Sequence, residues 1–236
     1  MSSFAPPKLM FFGDPSGPFH FVICCGQEHH PEAIVLLGDI QAQRLLVLDL
    51  APVLDLADVW FTHGNHDTAS EARVDHLFGS ALERRNPNGC VVELAGLRVA
   101  VLGGIFRESI WAPPFVASVA GCLEVIHPTE RWRGGMARRH RSPIFPDEYE
   151  RLARQRVDIL VTHEGLGGHS HDWVALDDLA IALYVQVVVD GHLHRTIAYL
   201  ADGRLDADTG YQAFGVASDH CLIWLRPPAL VAGSPA

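Results

Sequence analysis

Apolar residues fall along this chain in short runs, and most runs end in a turn that carries an acid, an amide or a histidine. Residues 8–12, "KLMFF", read as a short buried strand, and residues 33–39, "AIVLLGD", as a second. Both stop at Gly-Asp. Residues 57–67, "ADVWFTHGNHD", hold a third strand, preceded by a segment at 51–56 whose apolar spacing suits a short helix. A helical stretch follows at 71–78, then the turn "NPNG" at 86–89 and two strands, "CVVEL" and "LRVAVLGG", expected to pair as a hairpin. From 106 to 146 periodicity is lost in a Pro-, Gly- and Arg-rich stretch too long for an ordinary connection, and such loops commonly serve a site. Proline at 146 followed by acids, with arginines later, predicts a helix over 146–155. Residues 157–164, "VDILVTHE", and 185–194, "VQVVVDGHLH", predict strands on either side of a helix at 175–184. The runs "TIAYL", "YQAFGVAS" and "HCLIWLR" read as consecutive antiparallel strands.

Composition changes this picture little. The chain of 236 residues is 48% apolar and 19% charged, which suits one globular domain over residues 1–236 with a sizeable core. No apolar segment reaches the roughly 20 residues needed to cross a bilayer. The N-terminal stretch reads as a strand and not as a leader, so the expected location is cytoplasmic. Five scattered cysteines without CxxC spacing argue against a disulfide framework or a zinc knuckle, and buried thiols are expected. A formal charge of −10 makes nucleic acid an unfavoured partner, because phosphate backbones are repelled on average.

The chemistry sits at the strand ends. In order they carry Asp14, Asp39, Asn65 with His66, His163, and His192 with His194. Carboxyl ends of strands in sheets built from βαβ units converge on one crevice, so these residues are placed to meet. The set of carboxylate, amide oxygen and imidazole, without cysteine, suits Mn²⁺, Zn²⁺, Fe²⁺ or Mg²⁺.

Those blocks, "GDPS", "GD", "GNHD", "THE" and "GHLH", resemble in kind and order the D-x-H, G-D, G-N-H-D/E, His and G-H-x-H blocks of calcineurin-like metallophosphoesterases. The resemblance implies an α/β fold of two packed mixed β-sheets flanked by helices, a four-layer α/β/β/α sandwich with a pair of divalent ions between the sheets. It assigns Asp14, a bridging Asp39 and His194 to one ion, and Asp39, Asn65, His163 and His192 to the other. It also implies a metal-bridging hydroxide that attacks the phosphorus of a small phosphomonoester or phosphodiester. His66 would contact the phosphate and protonate the leaving oxygen, with Asp67 orienting the imidazole.

Ser16 departs from the family pattern, which has a histidine ligand there. A hydroxyl is the poorer ligand, so the first ion should be held more weakly and Mn²⁺ or Mg²⁺ preferred over Zn²⁺, with Mn²⁺ the expected ion. Natural adaptation and engineered substitution both fit this residue; decay fits less well, because every other ligand position is intact. Two alternatives stand beside a phosphoesterase: a metal-binding regulatory protein with little turnover, and a nuclease of the same superfamily. The run 131–141, "RWRGGMARRHR", is either a solvated loop or a substrate-binding one; Arg138 and Arg139 within it, and Arg107 before it, are the substrate-binding candidates. His63 is expected to be structural, and His169 and His171 either line the pocket or bind stray metal.

Overall fold

The structure is a computed structural model and describes residues 9–108, 110–112, 132–133, 138–166, 174–203 and 207–225. Two sheets face each other. The first has four strands in the order β10 (Cys221–Trp224), β1 (Leu9–Phe12), β2 (Ala33–Leu37) and β3 (Asp58–Thr62). The second has six: β4 (Cys90–Leu94), β5 (Leu97–Leu102), β6 (Ile159–Thr162), β7 (Val187–Asp190), β9 (Gln212–Gly215) and β8 (Ile197–Ala198). β1, β2 and β3 run parallel, as do β5, β6, β7 and β9, while β10, β4 and β8 pair antiparallel with their neighbours. The sheets are therefore mixed, and helices cover their outer faces.

The apolar runs explain the layering. In β1, Leu9 and Phe11 join the core between the sheets while Met10 and Phe12 face the outer helices. The same alternation holds in β5, where Val99 and Val101 point inward and Ala100 and Leu102 outward. A strand covered on both faces needs apolar residues at every position, so these strands read as continuous runs. The outer face of the first sheet is covered by α1 (His20–His29), α2 (Leu46–Asp49), α3 (Ala51–Leu54) and α4 (Glu71–Phe78), through Val22, Leu46, Val53 and Leu77. The second sheet is covered by α5 (Pro146–Ala153) and α6 (Val174–Leu183), through Leu152, Leu176, Leu179 and Leu183. Helical spacing on α6 places its three leucines on one stripe.

Two expectations need correction. The last three runs do not form one antiparallel set: β9 lies parallel to β7, β8 pairs back on β9, and β10 crosses to the first sheet to pair with β1. The ten-residue helix α1 stands between β1 and β2 in addition to the elements predicted above. Cys24 and Cys90 are exposed, and Cys25 and Cys221 are partly buried, so the described thiols do not belong to the deep core. Cys122, His169 and His171 lie outside the described residues.

α5 also offers a clean pH test away from the site. Its Glu148 accepts hydrogen bonds from Phe145 N (3.2 Å) and Asn88 Nδ2 (2.8 Å), closing the helix start onto the turn before β4. Burial pushes this carboxyl up to about 7. A raised carboxyl pKa means that the folded state holds the proton more tightly than the unfolded one. The contribution is therefore most favourable below the ordinary value of 4.5 and is lost as pH rises towards 7. Glu148→Gln removes this dependence. Its unfolding midpoint relative to wild type is expected to rise between pH 5 and pH 8, by at most about 3 kcal/mol in free energy. A difference that stays flat across that range contradicts the assignment.

Candidate metal centre

The described turns after β1, β2, β3, β6 and β7 open on one side of the inter-sheet space, and their side chains meet there. Asp14 and Asp39 are fully buried, each in a left-handed backbone conformation just after its strand, with φ of 33° and 46°. His163 is also fully buried. Its Nδ1 donates to Leu37 O at 2.8 Å, which places the ring proton on Nδ1 and leaves the Nε2 lone pair outward. That lone pair faces Asn65 Oδ1 at 3.1 Å and Asp39 Oδ1 at 3.6 Å. Burial holds the imidazole neutral, its pKa lowered to about 3, so no second proton relieves the meeting of lone pairs. His192 lies tilted against His163, ring centres 5.0 Å apart, and with Asp39 and His163 it offers ligand atoms all within 4.8 Å of one another.

Asp39 Oδ1 accepts the His66 N–H at 2.8 Å, and Asp14 Oδ1 accepts the His192 N–H at 3.1 Å. The second oxygens, Asp14 Oδ2 and Asp39 Oδ2, are buried without a hydrogen-bond partner among the described residues. Buried, unpartnered carboxylate oxygens are costly unless a cation or proton meets them. Burial, with Asp39 and Asp67 nearby, pushes the Asp14 carboxyl up to about 7. The donor set and the unpartnered atoms both fit divalent cations.

Gly38 and Gly64 make the room. Gly38 adopts φ +97°, and a Cβ there would sit 2.3 Å from His163 Nδ1. On Gly64 a Cβ would sit 2.2 Å from Asp39 Oδ1 and 2.7 Å from His163 Cε1. The glycines of the "GD" and "GNHD" blocks are thus the floor on which the imidazole rests.

The remaining candidates divide. His194 is exposed, and its Nδ1 shares a 2.7 Å hydrogen bond with Ser218 Oγ, which leaves Nε2 for a ligand. The Ser16 hydroxyl is engaged by Gln41 Nε2 at 3.0 Å and lies 3.4 Å from Asp39 O. The His66 side chain is 55% exposed at the rim, with Nε2 3.9 Å from Asp39 Oδ2. Among the described residues no hydrogen bond joins Asp67 to the His66 ring. Both Asp67 oxygens accept backbone N–H, from Gly64 and Gln41 at 2.8 Å each, so the carboxylate braces the two motif loops against each other. Arg107 opens the long loop, its backbone paired with Trp111. Arg138 begins a short 3₁₀ turn, and among the described residues no hydrogen bond or ion pair links it to the centre; the Arg139 side chain lies outside the description. Arg133 is committed elsewhere, gripping Asp75 of α4 with both terminal nitrogens and stacking on Trp132. His63 is structural as expected, buried beside Asn86 Nδ2 and Phe78, its pKa lowered by burial to about 4.

The family model for calcineurin-like phosphoesterases matches residues 7–196, the span that holds every strand end described above. The chain belongs to this family. An uncharacterised protein of Haemophilus influenzae is similar to this phosphoesterase, 36% identical over 196 residues that cover 81% of this chain and 85% of the relative. A hypothetical protein from Thermus thermophilus, known from a crystal structure, matches with a TM-score of 0.48 at 13% identity, covering 89% of this chain and 75% of that one. Membership gives the phosphoesterase its coarse chemistry, metal-dependent cleavage of phosphoesters, and the two-sheet fold agrees with it. Among the described residues no helix is long and apolar enough to cross a membrane.

Sequence reading passed over Glu164, Gln41, Ser218 and Arg73, which together surround the ligand set. Glu164 is 3% exposed and lies 3.8 Å from His192 Nε2. Arg73 Nη1 donates to His66 O at 3.1 Å. Only Glu164 carried a signal in the sequence, a carboxylate set directly after a strand and next to a motif histidine.

Proposed function

We propose that this phosphoesterase hydrolyses small phosphomonoesters or phosphodiesters with two divalent cations, Mn²⁺ favoured, held between the sheets. One cation would rest on Asp39, Asn65, His163 and His192, and the other on Asp14, Asp39 and His194. Bound there, the cations would supply an activated water and neutralise charge on the phosphoryl oxygens. The observation that carries the reading is the meeting of His163 Nε2, Asn65 Oδ1 and Asp39 Oδ1, with the His163 ring proton held on the far side by Leu37 O. From its exposed rim position, with its N–H anchored on Asp39, His66 is placed to contact the phosphate and give a proton to the leaving oxygen. Asp67 keeps the Gly64 and Gln41 loops together instead of tuning that imidazole. Arg107, Arg138 and Arg139 remain the proposed phosphate contacts. A charge of −10, together with the Arg133–Asp75 pairing, speaks for a small substrate over nucleic acid.

A second reading, metal binding with little turnover, is favoured by one observation: the Ser16 hydroxyl is already engaged by Gln41. One assay separates the two. A panel of phosphorylated metabolites and chromogenic mono- and diesters, run with Mn²⁺, Mg²⁺, Fe²⁺ and Zn²⁺, is expected to show hydrolysis that EDTA abolishes. Ser16→His is expected to tighten the weaker cation on the order of tenfold in a titration followed by Mn²⁺ electron paramagnetic resonance. Tight cation binding without hydrolysis of any ester selects the second reading; no cation binding at all defeats both.

A further inference from the structure

We infer that Glu164 is a positioning residue for the second cation site, fixing the His192 imidazole in the tautomer that ligation requires; this rests on the reading above. Glu164 is almost wholly buried, yet among the described residues no lysine or arginine pairs with it. Its oxygens accept two backbone N–H groups, Phe106 N on Oε2 at 3.0 Å and Gly165 N on Oε1 at 3.2 Å. Thr162 Oγ1 closes the same turn by donating to Glu164 O at 2.7 Å. An amide or hydroxyl acceptor could serve those two N–H groups without burying a charge, so the carboxylate itself needs a reason.

His192 supplies one. Its Nε2 lies 3.8 Å from Glu164 Oε1, roughly 1 Å beyond an ordinary N–H···O distance and within ion-pair range. A small turn of the ring, which lies tilted at 58° to that of His163, would close that gap. Glu164 then accepts Nε2–H, and Nδ1 carries the lone pair offered to the cation. Ligating histidines commonly donate their other N–H to a carboxylate or carbonyl, which fixes the ring and raises its basicity. The two imidazoles would then follow that rule with different partners: the buried His163 donates to the Leu37 carbonyl, and the half-buried His192 would donate to Glu164. The Phe106 N–H on the same carboxylate also ties the backbone just after β5 to the centre.

The test has two readouts independent of turnover. In histidine-¹⁵N-labelled wild-type protein, loaded with Mg²⁺ or Zn²⁺, long-range ¹H–¹⁵N spectra are expected to show His192 protonated on Nε2. In Glu164→Gln, which keeps an acceptor oxygen and removes the charge, the Mn²⁺ dissociation constant should rise on the order of tenfold while the unfolding midpoint in EDTA is not lowered. His192 protonated on Nδ1, or a Glu164→Gln affinity within twofold of wild type, overturns the inference. If the wild-type chain binds no divalent cation, the metal reading itself fails, and the tautomer measured in the cation-free protein still decides the pairing.

Discussion

Asp39→Asn is expected to lower metal-dependent phosphoester hydrolysis on the order of 10³-fold, the largest loss of any single change to this chain. Asp39 is the carboxylate proposed to serve both cations. It approaches His163 Nε2 at 3.6 Å, anchors the His66 N–H at 2.8 Å, and keeps a second, buried oxygen without a partner among the described residues. Asparagine preserves the His66 anchor but replaces that second oxygen with an NH₂ group and removes the charge on which both proposed cations depend. The same change should leave the cation-free fold no weaker. Asp39 raises the proton affinity of Asp14 and Asp67 through like-charge repulsion, and removing one of three crowded acids relieves that strain. Hydrolysis measured with Mn²⁺, beside thermal unfolding in EDTA, checks both halves. A variant that keeps its activity, or that unfolds markedly earlier in EDTA, shows that Asp39 is a structural acid only.

Gly64→Ala is expected to damage fold and centre together. A methyl group there would sit 2.2 Å from Asp39 Oδ1 and 2.4 Å from Asp39 N, distances that real side chains do not tolerate. The contacts are with a buried carboxylate, with backbone and with a buried ring, so no long flexible side chain can swing away. Overpacking of this kind costs about 3 kcal/mol, which for a chain of this size lowers the midpoint by roughly 10 °C. Cation affinity should fall with it, because the displaced groups are proposed ligands. An unchanged midpoint and titration would mean that the Gly64 loop lies elsewhere.

The strand ends could be read from sequence because sheets covered on both faces demand uninterrupted apolar runs, and each run stops where the chain must turn. That is why Asp14, Asp39, Asn65, His163 and His192 could be placed together from the sequence. What sequence did not disclose are the choices made in three dimensions. An apolar run such as that of β10 is compatible with either sheet, and only the long-range pairing of Phe12 with Cys221 decides. α1 carries a weak stripe, with Gly26 turned into the core against Val53 and two cysteines half out of it, so its periodicity gives little warning. Asp67 sits beside His66 in the sequence, which suggested a pair, but the backbone turn aims its carboxylate at the Gly64 and Gln41 amides. The arginine loop looked free to meet phosphate because the acids that occupy Arg133 lie some sixty positions away, on α4.

The ligand candidates come evenly from the two layers. Asp14, Asp39 and Asn65 follow strands of the first sheet, and His163, His192 and His194 follow strands of the second. A cation seated among them would act as a rivet across the sandwich, resisting any sliding of one layer over the other. Stripping it would therefore loosen the grip between layers throughout the molecule, and hydrogen exchange in β2 and β6 should quicken together even though neither strand touches the other's hydrogen-bonded ladder.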